Sequence, residues 1–169
     1  AADGRGSSMR EAAGINVSTT RFGQKALAFA VTHETPHENV STEIHRTGGP
    51  FTLVPLPDHE GRPSSAIVWM EEGPKAQALH QMDVAQFEEA MNLRSCGVLG
   101  HLKLASELTI WPIISQHASR LNGERVALIA EAAHVLPPIG AQGLNMSLSD
   151  IRVLRDLARA RPEGLGDTA

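Results

Sequence analysis

The sequence predicts an α+β fold: a largely antiparallel sheet with flanking helices, followed by a strand–loop–helix segment. Three observations support this prediction. Apolar and polar residues alternate in short runs between residues 22 and 70, which is typical of half-buried strands. Apolar residues then recur at helical spacing from Pro74 to Leu93. Finally, residues 125–157 pass from a β-prone run through a Pro/Gly loop into a second helical pattern.

The strands of the first half are expected to form a meander, because turn residues separate them. Residues 47–50 (TGGP) and 57–63 (PDHEGRP) are the clearest turns. In the helical stretch, Asp83 is a suitable N-cap for a helix that ends near Arg94, and its Met and Phe residues are expected in the core. The predicted strands are Phe22–Thr32, Val40–His45, Phe51–Leu56, Ser65–Met70 and Leu102–Ile110.

Composition narrows the class of protein. The 169 residues suffice for one domain with a core, and a formal charge of −4 without a Lys/Arg block argues against nucleic-acid binding. The single cysteine, Cys96, excludes an internal disulfide and is expected to be a buried thiol in a reducing compartment. Trp111 is also expected in the core. No apolar run is long enough to span a bilayer.

The segment His33–His37 (HETPH) matches the H-E-x-x-H pattern of zinc proteases. Two histidines four apart share a metal only on a helix, and Pro36 disfavours helical geometry there. We therefore interpret them as histidines at a bend between strands. A zinc hydrolase is the minor alternative.

The most informative stretch is Arg125–Asp150. Val126–Ile129 reads as a buried strand, Pro137 and Pro138 force an extended turn, and a helix is expected from Leu144. Free N–H groups at such a helix start point into the preceding loop and suit an anion or an electron-rich ring edge.

This stretch resembles the second flavin-binding motif of the single-component flavoprotein aromatic hydroxylases, R-x-x-L-x-G-D-A-A-H-x-x-x-P-x-x-G-Q-G-x-N-x-x-x-x-D. Two positions depart from it, because Ala130 and Glu131 stand where the family has Gly-Asp. The opening residues resemble the family's A-D-G-x-x-S-x-x-R motif. The matching residues are Asp3, Gly4, Ser7 or Ser8, Arg10, Arg125, Leu128, Ala132, Ala133, His134, Pro138, Gln142, Gly143, Asn145 and Asp150.

The resemblance implies FAD as cofactor, NAD(P)H as reductant, and hydroxylation of an aromatic ring with O2. It places Asp3 by the pyrophosphate, Glu131 on the ribityl chain and the Pro138 carbonyl beside the oxygen side of the ring. The amides of residues 143–145 would stabilise negative charge at flavin N1. No catalytic side chain and no metal ligand is implied. The implied cofactor-binding residues are Asp3, Glu131, Pro138, Gly140, Gln142, Gly143, Leu144 and Asn145.

A weaker resemblance links the middle of the chain to the ubiquinone-biosynthesis hydroxylases of this family, through Gly49, Pro50, Pro55 and Leu56. It implies a phenolic quinone precursor, with or without a polyprenyl tail, as substrate. The expected location is cytoplasmic, with peripheral association at the inner membrane, a biosynthetic complex and a homo-oligomer left open.

The family resemblance divides the chain into residues 1–14 as a remnant of the FAD-binding domain, 15–120 as the substrate-binding middle domain and 121–169 as the end of the FAD-binding domain. No G-x-G-x-x-G follows a predicted strand, so we expect a fragment that lacks the dinucleotide-binding segment and binds FAD poorly by itself. The alternative is a non-catalytic domain that binds a quinone-like ligand or an assembly partner and has lost flavin.

Overall fold

The computed structural model describes residues 1–166. The chain divides into two compact units, Gly23–Ile113 and a second unit of Ala1–Phe22 with Ile114–Ala169. Each boundary lies inside a long strand, β1 (Val17–Thr32) or β6 (Thr109–Ala118). The division of function among residues 1–14, 15–120 and 121–169 stays a prediction.

The Gly23–Ile113 unit is the predicted antiparallel meander. Within it the strand order is β2-β3-β4-β1, with β5 on the other side of β1. All four predicted strands up to residue 70 exist, and β1, β3 and β4 are longer than predicted because their ladders continue into polar residues. The further strands are β2 (Thr42–Arg46), β3 (Gly49–His59), β4 (Arg62–Glu72) and β5 (Lys103–Leu104).

The core of this unit lies between one face of the sheet and two helices, α2 (Gly73–His80) and α3 (Val84–Ser95). Leu27, Phe29 and Val31 of β1 are buried there and alternate with the partly buried Ala28 and Ala30, as expected for a sheet covered on one face. The ring of Phe87 packs edge-on against Phe29, with centroids 5.2 Å apart. The stretch predicted to be helical over residues 74–93 forms two helices, and the predicted N-cap at Asp83 is confirmed: its side chain accepts a bond from Gln86 N at the start of α3.

The opposite face of the sheet carries small residues. Ala28 and Ala30 lie beside Val68 and Ala66 on the neighbouring strand, and all four are only partly buried. This face therefore presents small, apolar side chains around these four residues.

The turn between β2 and β3 is tied to α3 by a buried cation. Arg94 Nη2 donates to the carbonyls of Ile44 (2.9 Å) and Gly49 (2.7 Å). Burial lowers the pKa of Arg94, and the neighbouring Glu71 carboxylate opposes that shift. A Cβ at Gly48 would collide with the Glu71 carboxylate, and φ is +101° there, so this turn requires glycine.

Three expectations for the end of this unit are wrong. Of the predicted strand Leu102–Ile110, only Lys103–Leu104 and the first two residues of β6 are in strands. Side chains take backbone bonds that a ladder would use: Asn92 bonds both N–H and C=O of Leu102. Trp111 is 51% exposed and therefore not core. Cys96 is exposed and not buried; it is the C-cap residue of α3 and has a left-handed φ of +57°.

The second unit holds α1 (Ser8–Ala12), the hairpin of β7 (Asn122–Gly123) and β8 (Val126–Ala127), β9 (His134–Val135) and α4 (Gln142–Ala160). Its small core includes Ile15, Leu128 and Ala133. As predicted, α4 ends just before Pro162. Within residues 1–166, no helix is long and apolar enough to cross a membrane.

Cys96 provides a test of the backbone at the end of α3. We expect Cys96→Gly to raise the free energy of unfolding by about 1 kcal/mol, because a Cβ is unfavourable in the left-handed region. Thermal or denaturant unfolding measures this. Cys96→Ala is the matched control and should leave stability near that of the wild type. Equal stability of the Gly and Ala variants would contradict the argument.

Candidate functional site

The opening motif forms a hydrogen-bonded loop at the start of α1. Ser7 is the N-cap: its Oγ accepts from Arg10 N (3.0 Å) and donates to Asp3 Oδ1 (2.6 Å). Asp3 Oδ2 also accepts from Met9 N (3.3 Å). Ser7 is fully buried and Ser8 exposed, so Ser7 is the serine of the motif. The bond from Ser7 is the main cause that lowers the pKa of the Asp3 carboxyl below its ordinary value of 3.8.

Arg10 connects the opening motif to the second motif. Its buried guanidinium donates from Nη1 to the Ala132 carbonyl and from Nη2 to the Arg5 carbonyl, both at 3.0 Å. The Ala1 amino group bonds the Ala127 carbonyl, and Ile129 N donates to the Ala1 carbonyl (3.0 Å). Two segments more than 120 positions apart in sequence therefore share one backbone network.

The segment after β8 differs from the expected strand. Val126–Ile129 is regular only at Val126–Ala127, and a 3₁₀ turn follows at Ala130–Ala132. Ala130 has φ +54°, a left-handed conformation in which a Cβ costs about 1 kcal/mol. The motif's glycine at this position is thus explained by backbone geometry. Glu131, in the same turn, is exposed.

The loop before α4 contains two more left-handed residues, Gly140 (φ +66°) and Ala141 (φ +51°). Ala141 is a third departure from the motif, which has glycine there. It is the N-cap of α4 and has no side-chain cap. The helix begins at Gln142, two residues earlier than predicted, because this left-handed pair turns the chain before Gln142.

The residue at which α4 begins determines which backbone N–H groups have no partner within the helix. The N–H groups of Gln142, Gly143 and Leu144 precede the first intrahelical bond, whereas that of Asn145 is within bonding reach of the Ala141 carbonyl. Asn145 therefore offers its side chain rather than its amide. Apart from its chain neighbours and the adjacent backbone of α4, no described atom lies within 4 Å of a Cβ built on Gly143, so the fold itself does not demand glycine there.

The predicted cofactor-binding residues all lie in this second unit, and all are exposed. Five of them, from Gly140 to Asn145, cluster at the open start of α4. Glu131 and Pro138 lie in the chain that leads to it, and Asp3 lies in the opening loop. The eight exposed residues of this predicted set are Asp3, Glu131, Pro138, Gly140, Gln142, Gly143, Leu144 and Asn145.

The structure contains one side-chain contact at the site that the sequence did not predict. Asp150, on the third turn of α4, accepts two hydrogen bonds at Oδ2, from Ala130 N (2.9 Å) and from His134 Nε2 (2.7 Å). Both histidine and aspartate belong to the motif, but spacing alone shows no reason for their pairing. Only the folded turn brings them together.

A groove of about 680 Å³ lies elsewhere in this unit, between the β7–β8 hairpin and the second half of α4. Its walls include Leu154 and Leu157 of α4, with Arg125 and Arg161 among its charged residues. The predicted residues 140–145 do not line it. The apolar side of α4 is also exposed, with Leu157 at 64%.

The histidines of the HETPH segment lie between β1 and β2, as interpreted from Pro36. His33 Nδ1 bonds the Thr35 carbonyl (2.9 Å) and Nε2 bonds Ser65 Oγ (3.0 Å). His37 Nε2 bonds the Leu56 carbonyl (3.1 Å), and Nδ1 accepts from Asn39 N (3.1 Å). Because all four ring nitrogens have protein partners, the arrangement gives no support to a zinc site.

The Asp3–Ser7 pair gives a pH-dependent test. A carboxyl with a lowered pKa stabilises the fold above its unfolded pKa, and that stabilisation is lost as pH falls through the lower folded pKa, here below 3.8. We expect Ser7→Ala to raise the pKa of Asp3 toward 3.8 and to destabilise α1 by about 1 kcal/mol through the lost cap. A carboxyl NMR titration measures the pKa. Ser8→Ala should change neither quantity, and an unshifted Asp3 in Ser7→Ala would contradict the assignment.

Known proteins resemble this chain over nearly all of its length. A family profile described as "FAD binding domain" matches residues 1–160. The ubiquinone hydroxylase UbiL of Rhodospirillum rubrum is 33% identical over 97% of this chain and 38% of its own length. The 3-demethoxyubiquinol 3-hydroxylase of Escherichia coli is 28% identical, over 96% of this chain and 41% of its own length.

Among solved structures, the flavin-dependent halogenase CmlS matches with a TM-score of 0.74 over 97% of this chain and 31% of that chain. At 15% identity this likeness shows the fold alone. The chain spans about two-fifths of the length of the curated relatives described above.

Proposed function

The chain belongs to the FAD-binding domain family, and we propose that it supplies flavin contacts to a longer monooxygenase that hydroxylates an aromatic ring. One observation carries the proposal. The first amides of α4 are exposed, uncapped and preceded by the left-handed pair Gly140–Ala141. Such a helix start holds partial positive charge toward any electron-rich group in front of it.

The residues present fit the flavin ring and its ribityl chain. Open N–H groups at Gln142, Gly143 and Leu144 suit the N1 edge of the ring, where negative charge collects on reduction. Gly143 leaves room for close approach, since its Cβ would meet no described atom. The exposed Glu131 carboxylate suits the ribityl hydroxyls. For the pyrophosphate we propose only Asp3, in the opening loop.

The chemistry is divided between cofactor and protein. When bound, FAD supplies the transfer of electrons from NAD(P)H to O2 and the activation of the oxygen atom. The residues of this chain bind and orient it: the α4 amides stabilise charge, and Pro138 contributes its carbonyl beside the ring. No side chain of this chain is proposed to exchange protons with the substrate.

The proposed substrate is a phenolic precursor of a quinone. The names of the curated relatives support hydroxylation in ubiquinone biosynthesis and do not favour a non-catalytic binding domain. In the Gly23–Ile113 unit, the face around Ala28, Ala30 and Ala66 carries small apolar side chains, which suit contact with an aromatic ring. A polyprenyl tail on that ring would favour activity at the inner membrane or within a biosynthetic complex. Membrane association, a complex and a homo-oligomer are all part of this proposal.

Gly143→Ala tests the proposal without disturbing the fold. We expect stability to be unchanged or slightly higher, because the new Cβ meets nothing and alanine favours helix. In the longer protein, the FAD dissociation constant should rise by about tenfold, or about 1.4 kcal/mol, because the methyl group keeps the flavin edge from the amides.

Equilibrium titration of flavin fluorescence measures this affinity, and thermal unfolding measures stability. Arg152→Ala, on the exposed surface of α4 away from its start, is the control and should leave both unchanged. FAD affinity equal to that of the wild type in Gly143→Ala would overturn the proposed site.

The two departures at Ala130 and Glu131 give a second test. Ala130→Gly should stabilise the fold by about 1 kcal/mol, because it relieves the left-handed strain. Combined with Glu131→Asp, it should tighten FAD binding in the longer protein, by about 1–3 kcal/mol if a buried hydrogen bond is regained. Titration with FAD measures the second effect, and an unchanged affinity would count against the role of Glu131.

A further inference from the structure

The Asp150 carboxylate holds two groups of the preceding segment with one oxygen. Oδ2 accepts from Ala130 N at 2.9 Å and from His134 Nε2 at 2.7 Å. The side chains of His134 and Asp150 are 14% and 22% exposed, so water competes little for these bonds. Hydrogen bonds to a charged group in such a setting are stronger than those between neutral groups.

These bonds fix the backbone on one side of Glu131. The other side is held by Arg10, which donates to the Ala132 carbonyl at 3.0 Å. Glu131 therefore projects from a turn whose preceding amide and following carbonyl both have charged partners. Its side chain is exposed and can meet a ligand.

Asp150 also belongs to the helix whose start forms the other half of the proposed site. It lies eight residues after Gln142, which corresponds to about 12 Å along the helix axis. A rigid helix transmits position over that distance. The carboxylate consequently links the turn that carries Glu131 to the helix that carries the open amides.

We propose that Asp150 is a positioning residue, which sets the separation between the Glu131 carboxylate and the open amides of α4. The inference rests on the proposed function, and the ligand is the ribityl chain and ring edge of a flavin. A carboxylate suits this role because its negative charge strengthens both of the hydrogen bonds that Oδ2 accepts. An asparagine in its place would lack the negative charge. The same bond from Ala130 N helps to offset the left-handed strain at that residue.

A double-mutant cycle in the longer protein tests this inference. Asp150→Asn keeps the size of the side chain and removes its charge, and Glu131→Gln does the same at the site. We expect each to raise the FAD dissociation constant, Asp150→Asn by about tenfold. Because Asp150 acts through the position of Glu131, the double variant should lose less than the product of the two single effects.

Asp156→Asn is the matched control. Asp156 lies on the same helix and is exposed, and its carboxylate contacts Arg155 rather than the turn. It should bind FAD as the wild type does. The thermal midpoint of each variant, measured without flavin, separates loss of fold from loss of binding.

The outcomes distinguish this inference from the proposed function. If the wild-type longer protein fails to bind FAD, the proposed function itself is wrong. If the wild type binds FAD but Asp150→Asn binds equally well, or if the two single effects simply multiply, the positioning role is overturned. Should Asp150→Asn not fold, Asp150→Glu keeps the charge, lengthens the side chain by one methylene and enters the same cycle with the same two criteria.

Discussion

The unit that carries the proposed flavin site depends on the buried guanidinium of Arg10. A buried cation is costly unless its donors are paired, and Arg10 pairs two of them with the carbonyls of Ala132 and Arg5. This arrangement joins the start of the chain to a turn 122 positions later. The opening motif is thus a structural partner of the second motif, whatever further contact Asp3 makes with a ligand.

A second constraint is the backbone conformation around the site. Ala130 and Ala141 are both left-handed, and both stand where the family's motif has glycine. The fold has kept the geometry and accepts the strain of two Cβ atoms. Strain of this kind persists only where surrounding contacts over-determine the backbone. The Asp150 carboxylate on Ala130 N and the bond from Ala133 N to the Ala130 carbonyl (2.9 Å) are such contacts.

Much of the architecture could be read from local pattern. The four strands β1 to β4 and the N-cap at Asp83 are confirmed. These predictions succeed because alternation and capping depend on residues that are close together in the sequence. The interpretation of His33 and His37 also holds, because Pro36 acts locally. The errors lie where side chains compete with backbone ladders, as Asn92 does at Leu102, or where exposure depends on distant elements, as at Trp111 and Cys96.

For the site, the sequence alone determined the order of strand, Pro/Gly loop and helix, and that open amides lie at the start of this helix; it placed them at residues 143–145, whereas the structure has them at 142–144. The tertiary structure decided that α4 begins at Gln142, that Ser7 rather than Ser8 caps α1, and that Asp150 holds the turn before Glu131. The physical reason is range. A local pattern predicts that a helix starts in a given stretch, but its first residue depends on backbone angles that the sequence leaves open, as at the left-handed Ala141. The contacts of Arg10 and Asp150 join residues that only folding brings together.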